Sequence, residues 1–326
     1  MTVLVTGAAG FIGYHTSRAL LARGETVIGI DNLNDYYDVA LKQARLDQLL
    51  GEDNFVFEQI DIALRQDMED FRKRHPDITR IVHLAAQAGV RYSLINPHAY
   101  TRTNIEGHLC MLELCRHLEG LTHMVYASTS SVYGDNKSLP FSVDDATEQP
   151  LSLYAATKKS MELMSYTYSH LYRIPQTGLR YFTVYGPWGR PDMSPIIFTS
   201  KILAGEALPV FNQGDMRRDF TYIDDIVAGT IACLDHPPVD DGEMPPSRIY
   251  NLGNQRSEKL MDFIAVIEKN LDRKASVDFQ PMQPGDVQDT YADIDAARRD
   301  FGYEPKTTIE QGVPNFIRWY RDFYKV

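Results

Sequence analysis

Tyr154 and Lys158 stand four residues apart in Tyr154-Ala155-Ala156-Thr157-Lys158, and a helix through that run puts both on one face. A phenol titrates at about 10, so a tyrosine serves as a base near neutrality only where a neighbouring cation stabilises the phenolate. A lysine one helical turn away is such a cation. Just upstream, Ser128-Thr129-Ser130-Ser131-Val132-Tyr133-Gly134 supplies short hydroxyls, and Thr129 or Ser130 could hold a substrate oxygen. A tyrosine beside a lysine is also an ordinary solvated helix surface, so the pair takes its meaning from the elements that would position it.

Those elements begin at the N-terminus. Thr2-Val3-Leu4-Val5-Thr6 is a short β-branched run that breaks at Gly7-Ala8-Ala9-Gly10-Phe11-Ile12-Gly13 and passes into a helical pattern through Ala19, Leu20 and Leu21. Strand, glycine turn and helix in that order make a dinucleotide cradle. Gly7, Gly10 and Gly13 let the backbone approach a pyrophosphate, and the helix N-terminus at Phe11 and Ile12 offers free N–H groups and a favourable dipole. The next strand-like run ends at Asp31, followed by Asn32, about 20 residues beyond the turn, where a carboxylate accepts the adenosine ribose hydroxyls. A carboxylate there repels a 2′-phosphate, which favours NAD over NADP. After a third run at Phe55-Val56-Phe57, Asp61 could meet the adenine amino group and Ile62 its face. Ala85 and Ala86 are small enough for backbone to pass close to the cofactor. Asn104 opens a later helical run and either contacts the cofactor or caps the helix.

Further runs at Ile81-Val82-His83-Leu84, Met124-Val125-Tyr126-Ala127 and Gly178-Leu179-Arg180-Tyr181 alternate with helical segments. That alternation predicts an α/β fold with a Rossmann-type doubly wound parallel sheet, covered on both faces. After Tyr181 the chain becomes rich in turn residues, with Pro187, Gly189, Pro191 and Pro195. Residues 1–182 read as the NAD-binding domain, 183–326 as mainly a smaller substrate lobe, and 220–253 as a return to the first domain.

The chain has 326 residues, enough for a large core in two lobes, and a formal charge of −11. That charge opposes nucleic acid as a partner but leaves room for a small anion held by a few local arginines. Cys110, Cys115 and Cys233 are too few for a disulfide framework, which fits a reducing compartment. His108, Cys110, Cys115 and His117 are strung along one helical run and do not make a compact tetrahedral site, so no metal is expected. The apolar N-terminus lacks a basic region and is broken by glycines, unlike a signal peptide. No apolar run approaches the ~20 residues of a membrane span. The expected location is cytoplasmic, with no membrane partner.

Taken together, Gly7 to Gly13, Ser128 to Gly134, Tyr154 to Lys158 and Arg218-Asp219-Phe220-Thr221-Tyr222-Ile223-Asp224-Asp225 make the chain resemble the extended short-chain dehydrogenase/reductases, in particular the NAD-dependent nucleotide-sugar epimerases and dehydratases. The resemblance covers nearly the whole chain. It implies Tyr154 as acid/base, Lys158 lowering its pKa and holding the nicotinamide ribose, and Thr129 bonded to the reacting sugar hydroxyl. Members that eliminate water carry an Asp-Glu pair where this chain has Ser130-Ser131, and the decarboxylases keep an acid just before the Val-Tyr-Gly. Hydroxyls cannot replace a carboxylic acid as proton donor, which leaves plain epimerisation.

The runs Asp31 to Tyr37, Gln87 to Ser93 and Arg180 to Met193 resemble the UDP-glucuronate 4-epimerases. The implied substrate is a UDP-hexuronic acid. Its carboxylate would be met by Thr183, Ser130, Ser131 and Arg190, unless Arg190 is a loop arginine paired with Asp192. For the uridine diphosphate the resemblance implies Arg218 on the pyrophosphate, Asp286 on the ribose, and the backbone of Val210 and Phe211 on uracil. Gln283 stands where the galactose epimerases carry a second clamp arginine, and Arg91 could take that part. The run 156–172 places Met161, Met164, Tyr168 and Leu171 near helical spacing, a stripe that either packs on the sheet or, as the family's four-helix interface implies, pairs with the 103–118 helix across a homodimer. The competing readings are UDP-glucose/galactose 4-epimerase, UDP-glucuronate decarboxylase and a non-catalytic NAD-binding sensor. Intact Tyr154 and Lys158 speak against the sensor.

Overall fold

The computed structural model describes residues 1–282 and 287–326, so Gln283 and Asp286 lie outside the described residues. Six strands, β1 (Thr2–Thr6), β2 (Thr26–Asp31), β3 (Phe55–Gln59), β4 (Ile78–His83), β5 (His123–Thr129) and β6 (Gln176–Tyr181), join Ser247–Leu252 in one sheet. Its order is Ser247–Leu252, β6, β5, β4, β1, β2, β3, and every pairing is parallel. Parallel neighbours need long crossovers, which is why helices alternate with strands along the chain. The expected doubly wound sheet is therefore present. It spreads in opposite directions from β1, which lies between β2 and β4, and this opens a crevice at the carboxyl ends of the strands. Thr6 is level with Ile30 and His83, and Thr129 with Tyr181, so the loops leaving these strands share one rim.

The pleat explains the two helical layers. In β1 the buried Val3 and Val5 point into one apolar cluster and Leu4 into the other, because successive side chains alternate faces. Each such fully buried side chain stabilises the fold by about 1.5–3 kcal/mol. Among the described residues no helix is long and apolar enough to cross a membrane.

Beyond β6 the strands shorten. β7 (Thr183–Tyr185) pairs in parallel with Phe220–Tyr222, Arg217–Arg218 lies between Glu258–Lys259 and Asp289–Thr290, and Ala207–Val210 pairs with Ser276–Phe279. The helix Ile223–Leu234 packs on the first helix, Phe11–Ala22.

Two helical expectations change in detail. The 103–118 run is a π-helix, Thr101–Gly107, continued by the α-helix His108–Arg116. The 156–172 run starts earlier, as the helix Leu153–Tyr172. Met161 of the expected pairing face is buried at 1% exposure, and Met164 and Tyr168 pack beside a core cluster. The apolar side chains that this helix presents outward are Leu163, Tyr166 and Leu171, 59%, 50% and 59% exposed. The long helix is amphipathic on both sides, and spacing alone did not say which stripe faces the sheet.

Glu162 anchors that helix to the sheet. Its carboxylate accepts the Arg180 fork at 2.9 and 3.0 Å and the Ser128 hydroxyl at 2.6 Å, with both partners of the ion pair 4% exposed. Removing one charge of a buried pair leaves the other uncompensated. Glu162→Gln should therefore destabilise the protein by about 3–5 kcal/mol, measured by denaturant unfolding. A loss under about 1 kcal/mol, the size of an exposed pair, would show that Arg180 finds another partner.

Candidate active site

The Ser152 side chain caps the helix Leu153–Tyr172 by accepting the Ala155 N–H at 3.1 Å, and the first turns of that helix carry Tyr154 and Lys158 to the end of β5. There Thr129 closes the strand, and its Oγ1 accepts the Ser131 N–H at 3.2 Å to start the 3-10 turn Ser130–Tyr133. The Thr129 hydroxyl faces the Tyr154 phenol closely enough to favour its ionised form. Burial raises the Tyr154 pKa, and the Thr129 hydroxyl and the Arg190 charge only partly oppose it. Lys158, 2% exposed, donates to the Ala127 carbonyl at 2.8 Å rather than to the phenol. Its burial, with the Arg190 charge adding to it and Glu162 opposing, lowers its pKa from 10.5 to about 7. The lysine alone does not bring the phenol into the neutral range. A further cation at the site would have to do so.

Gly7, Gly10, Phe11, Ile12 and Gly13 line the same cleft as Tyr154 and Lys158, with a volume of about 410 Å³, inside the range of small-molecule sites. A Cβ on Gly13 would run into the Gly7 carbonyl, so the turn closes tightly only with glycine there. The helix Phe11–Ala22 has no side-chain N-cap and no acid in its first turn, which leaves its N-terminal amides for an anion. Asp31 accepts the Ala9 N–H at 3.2 Å and the Leu33 N–H at 2.8 Å. Burial raises its pKa, opposed first by Lys42. Asn32, Ile62, Ala85 and Ala86 line the cleft as well. This donor set fits a dinucleotide.

Two of the expected cofactor residues do not line the cleft. Asp61 stands just outside the cleft wall, between Ile60 and Ile62 that line it, and its carboxylate accepts Arg102 at 2.6 Å and the Ala63 N–H at 3.0 Å. Asn104 is fully buried and neither caps a helix nor reaches the cleft. Its amide binds both the N–H and the carbonyl of Gln87, at 2.8 and 3.1 Å, and the Thr157 hydroxyl at 3.0 Å. It sits within the π-helix, a distortion common at functional sites, and there it fixes the segment after β4 against the helix that carries Tyr154.

On the other side stand Ser130, Ser131, Thr183 and Arg190. Arg190 forks onto Asp192, Nε to Oδ1 at 3.0 Å and Nη2 to Oδ2 at 2.8 Å, and the acid holds its charge firmly although burial opposes it. Arg91, Val210, Phe211 and Arg218 are not in this wall. The Arg91 guanidinium lies over the Phe211 ring at 5.1 Å, and the carbonyls of Val210 and Phe211 accept the N–H groups of Gln280 and Gly214. Arg218 donates to the carbonyls of Arg217 and Gln288 at 2.8 and 3.0 Å. The His108, Cys110, Cys115, His117 series is dispersed. His108 stacks on His83 and bonds Ser165 at 2.8 Å, while Cys115 points at Met124.

A family model described as GDP-mannose 4,6 dehydratase matches residues 4–316. The chain belongs to this family. It is 47% identical to UDP-glucuronate 4-epimerase 4 of Arabidopsis thaliana, over 99% of this chain and 76% of that protein, and 47% identical to protein CapI of Staphylococcus aureus over the full length of both. The UDP-glucuronic acid 4-epimerase of Bacillus cereus, solved in complex with UDP-glucuronic acid and NAD, superposes with a TM-score of 0.91 at 36% identity, covering 99% of this chain and 100% of that one.

A member of the GDP-mannose 4,6 dehydratase family need not eliminate water, and this cleft is poorly equipped to. Among its described lining residues the only acid is Asp31, at the glycine-turn end, whereas elimination needs a proton donor beside the sugar. Several wall residues had no role in the sequence reading: Asn34, Tyr36, Lys42, Gln87 and Met193. Tyr36 is the instructive case. It stood in a run that carried the resemblance, but nothing local pairs it with Asp192, 156 positions away.

The burial of Lys158 has a consequence for stability. Between about 7 and 10.5 the unfolded chain binds a proton that the folded chain has released, so stability falls as pH drops through that window and the whole penalty remains below it. Lys158→Met removes the penalty. NAD-free variant should melt above wild type near pH 7 and lose most of that advantage by about pH 10, as the unfolded lysine begins to titrate. The same difference at both pH values, followed by scanning fluorimetry, would show that Lys158 pays no charge-burial cost.

Proposed function

We propose that this enzyme interconverts UDP-glucuronate and UDP-galacturonate by NAD-dependent epimerisation at C4. The observation that carries the reading is the composition of one cleft. A Tyr–Thr hydroxyl pair beside a buried lysine faces Ser130, Ser131, Thr183 and Arg190, with no acid among them. Gly7, Gly10, Gly13 and the amides of Phe11 and Ile12 would hold the pyrophosphate of NAD, and Asp31 its adenosine ribose. When bound, NAD supplies the oxidising and then the reducing equivalents at C4, and its oxidised ring adds the cation that Tyr154 needs.

Tyr154 takes the proton of the C4 hydroxyl while Thr129 holds that oxygen. The resulting 4-keto sugar turns about its link to the diphosphate, presents its other face, and receives the proton back from Tyr154. The 4-keto uronate is a β-keto acid and loses carbon dioxide readily. Arg190 and the hydroxyls of Ser130, Ser131 and Thr183 would restrain its carboxylate against that loss. Arg91, Val210, Phe211, Arg218, Gln283 and Asp286 are assigned to the uridine diphosphate on family resemblance.

The direct test is incubation with UDP-glucuronate. The product should have unchanged mass and a different chromatographic position, whereas loss of water or of carbon dioxide would replace this reading with dehydration or decarboxylation. Tyr154→Phe should keep NAD and lose turnover by roughly 10²–10⁴-fold. Near-wild-type turnover in that variant would refute the acid/base role.

The protein is proposed to work as a cytoplasmic homodimer. Leu163, Tyr166 and Leu171 on the helix Leu153–Tyr172, with Leu109 (42% exposed) on His108–Arg116, form an apolar surface suited to a second copy. Light scattering at micromolar concentration should give twice the 37.1 kDa chain mass, and Leu163→Glu should shift it toward the monomer. A monomeric wild type would remove the dimer from the proposal.

A further inference from the structure

Three loops that line the cleft meet at one point. Tyr36, in the loop after β2, donates its hydroxyl to Oδ2 of Asp192 at 3.0 Å. Asp192, in the loop after β7, also holds both ends of the Arg190 fork. Gly89, in the loop after β4, passes beneath them. At a φ of +94° it is in the region that favours glycine, and a Cβ there would collide with the Tyr36 hydroxyl and stand 3.5 Å from Asp192 Oδ2. The Tyr36 and Tyr92 rings pack with centroids 4.7 Å apart, which sets the direction of the phenol.

The backbones of these loops are fixed independently of that bridge. Arg45, fully buried, donates to the carbonyls of Ala9, Trp188 and Gly189 and to the Tyr37 hydroxyl, at 2.9, 2.7, 3.1 and 2.8 Å. His15 Nε2 lies 2.9 Å from the Pro187 carbonyl. The loop that carries Arg190 is thus tied to the glycine turn below, and the Tyr36–Asp192 bond is a side-chain link between two anchored loops. Tyr36 and Arg190 both line the cleft that runs from Asp31 to Tyr154, and the Arg190 and Asp192 side chains retain 23% and 28% exposure. The link therefore lies at the mouth.

Pairing with Asp192 does not exhaust Arg190. A guanidinium has five N–H donors, and the fork uses Nε and Nη2. The two Nη1 donors have no protein partner among the described residues. The acid orients the arginine without consuming it, so the alternatives of a paired loop arginine and a substrate-facing arginine are compatible.

We propose that Tyr36 and Asp192 are positioning residues that act through Arg190. Linked to each other across the mouth, they hold Arg190 over the sugar end and must part before the bound dinucleotide leaves. The inference rests on the NAD-dependent reading of the site. It makes cofactor retention and uronate recognition properties of the same three side chains. An enzyme that regenerates its NAD in each cycle gains from such retention.

Tyr36→Phe deletes only the hydroxyl, and Asp192→Asn keeps the shape of the acid while removing its charge. NAD release from purified holoenzyme, followed by trapping the freed NAD with a second dehydrogenase, should be roughly tenfold faster in each variant, the effect of losing one bond to a charged group. KM for UDP-glucuronate should rise in both variants while the dissociation constant for UDP stays at the wild-type value, a pattern that a merely structural role would not give. Release and KM at wild-type values in Tyr36→Phe, with NAD still bound, would overturn the positioning role alone. A wild-type protein that holds no NAD would overturn that role together with the NAD-dependent reading beneath it.

Discussion

The site is organised around a cation kept out of water. The Lys158 ammonium is buried against the Ala127 carbonyl, one turn along the helix from the phenol it accompanies and one turn before Glu162. Glu162 opposes the fall in the lysine pKa, and Arg190 and burial deepen it. A lysine with its pKa near 7 is costly to the empty fold and useful to a proton-transfer site, because small changes in local charge then decide whether it is charged. The same burial raises the phenol of Tyr154, so the chain presents two groups that are each short of charge stabilisation. A positively charged nicotinamide ring bound beside Tyr154 would stabilise its phenolate and, as a like charge, would lower the lysine pKa further.

Around that centre the cleft is divided by charge. At the glycine turn a helix N-terminus without a cap and a buried aspartate suit phosphate and ribose. At the other end are hydroxyls and a guanidinium, with no acid among the described lining residues and the Asp192 carboxylate behind them taken up by Arg190. This second environment favours a carboxylate ligand and lacks the proton donor for elimination. Such a site separates the chemistry of this enzyme from that of relatives with the same sheet and the same Tyr and Lys, which is why fold alone could not settle the reaction.

Rigidity comes from buried polar links rather than from the apolar core alone. Arg45 ties the loop at 188–189 to the glycine turn, Asn104 ties Gln87 to Thr157, and the Glu162–Arg180 pair ties the long helix to β5 and β6. Each joins segments that an apolar contact would leave free to slide, since a hydrogen bond in low dielectric is directional and costly to leave unmade. Tyr154 and Lys158 stand on the helix that two of these links hold.

Much of this was legible in the chain. The glycine turn, Asp31, Thr129 and the Tyr154–Lys158 spacing are local patterns: a turn needs glycine within seven residues, and a helix brings i and i+4 together whatever surrounds it. The parallel sheet followed from β-branched runs alternating with helical ones. What tertiary structure alone decided are the pairings between distant segments. Asp61 was read as an adenine contact, and the fold adds Arg102 as its partner. Asn104 was read as a cofactor contact or a cap but turns inward on a π-helix. Met161, read either as packing on the sheet or as part of a pairing face, belongs to the core. Arg190 and Asp192 were offered as a pair, yet only the fold shows that Tyr36 completes it and that Nη1 is left over. Local geometry is encoded by neighbours along the chain, whereas the partner of a charge is set by which loops the sheet order brings to one rim.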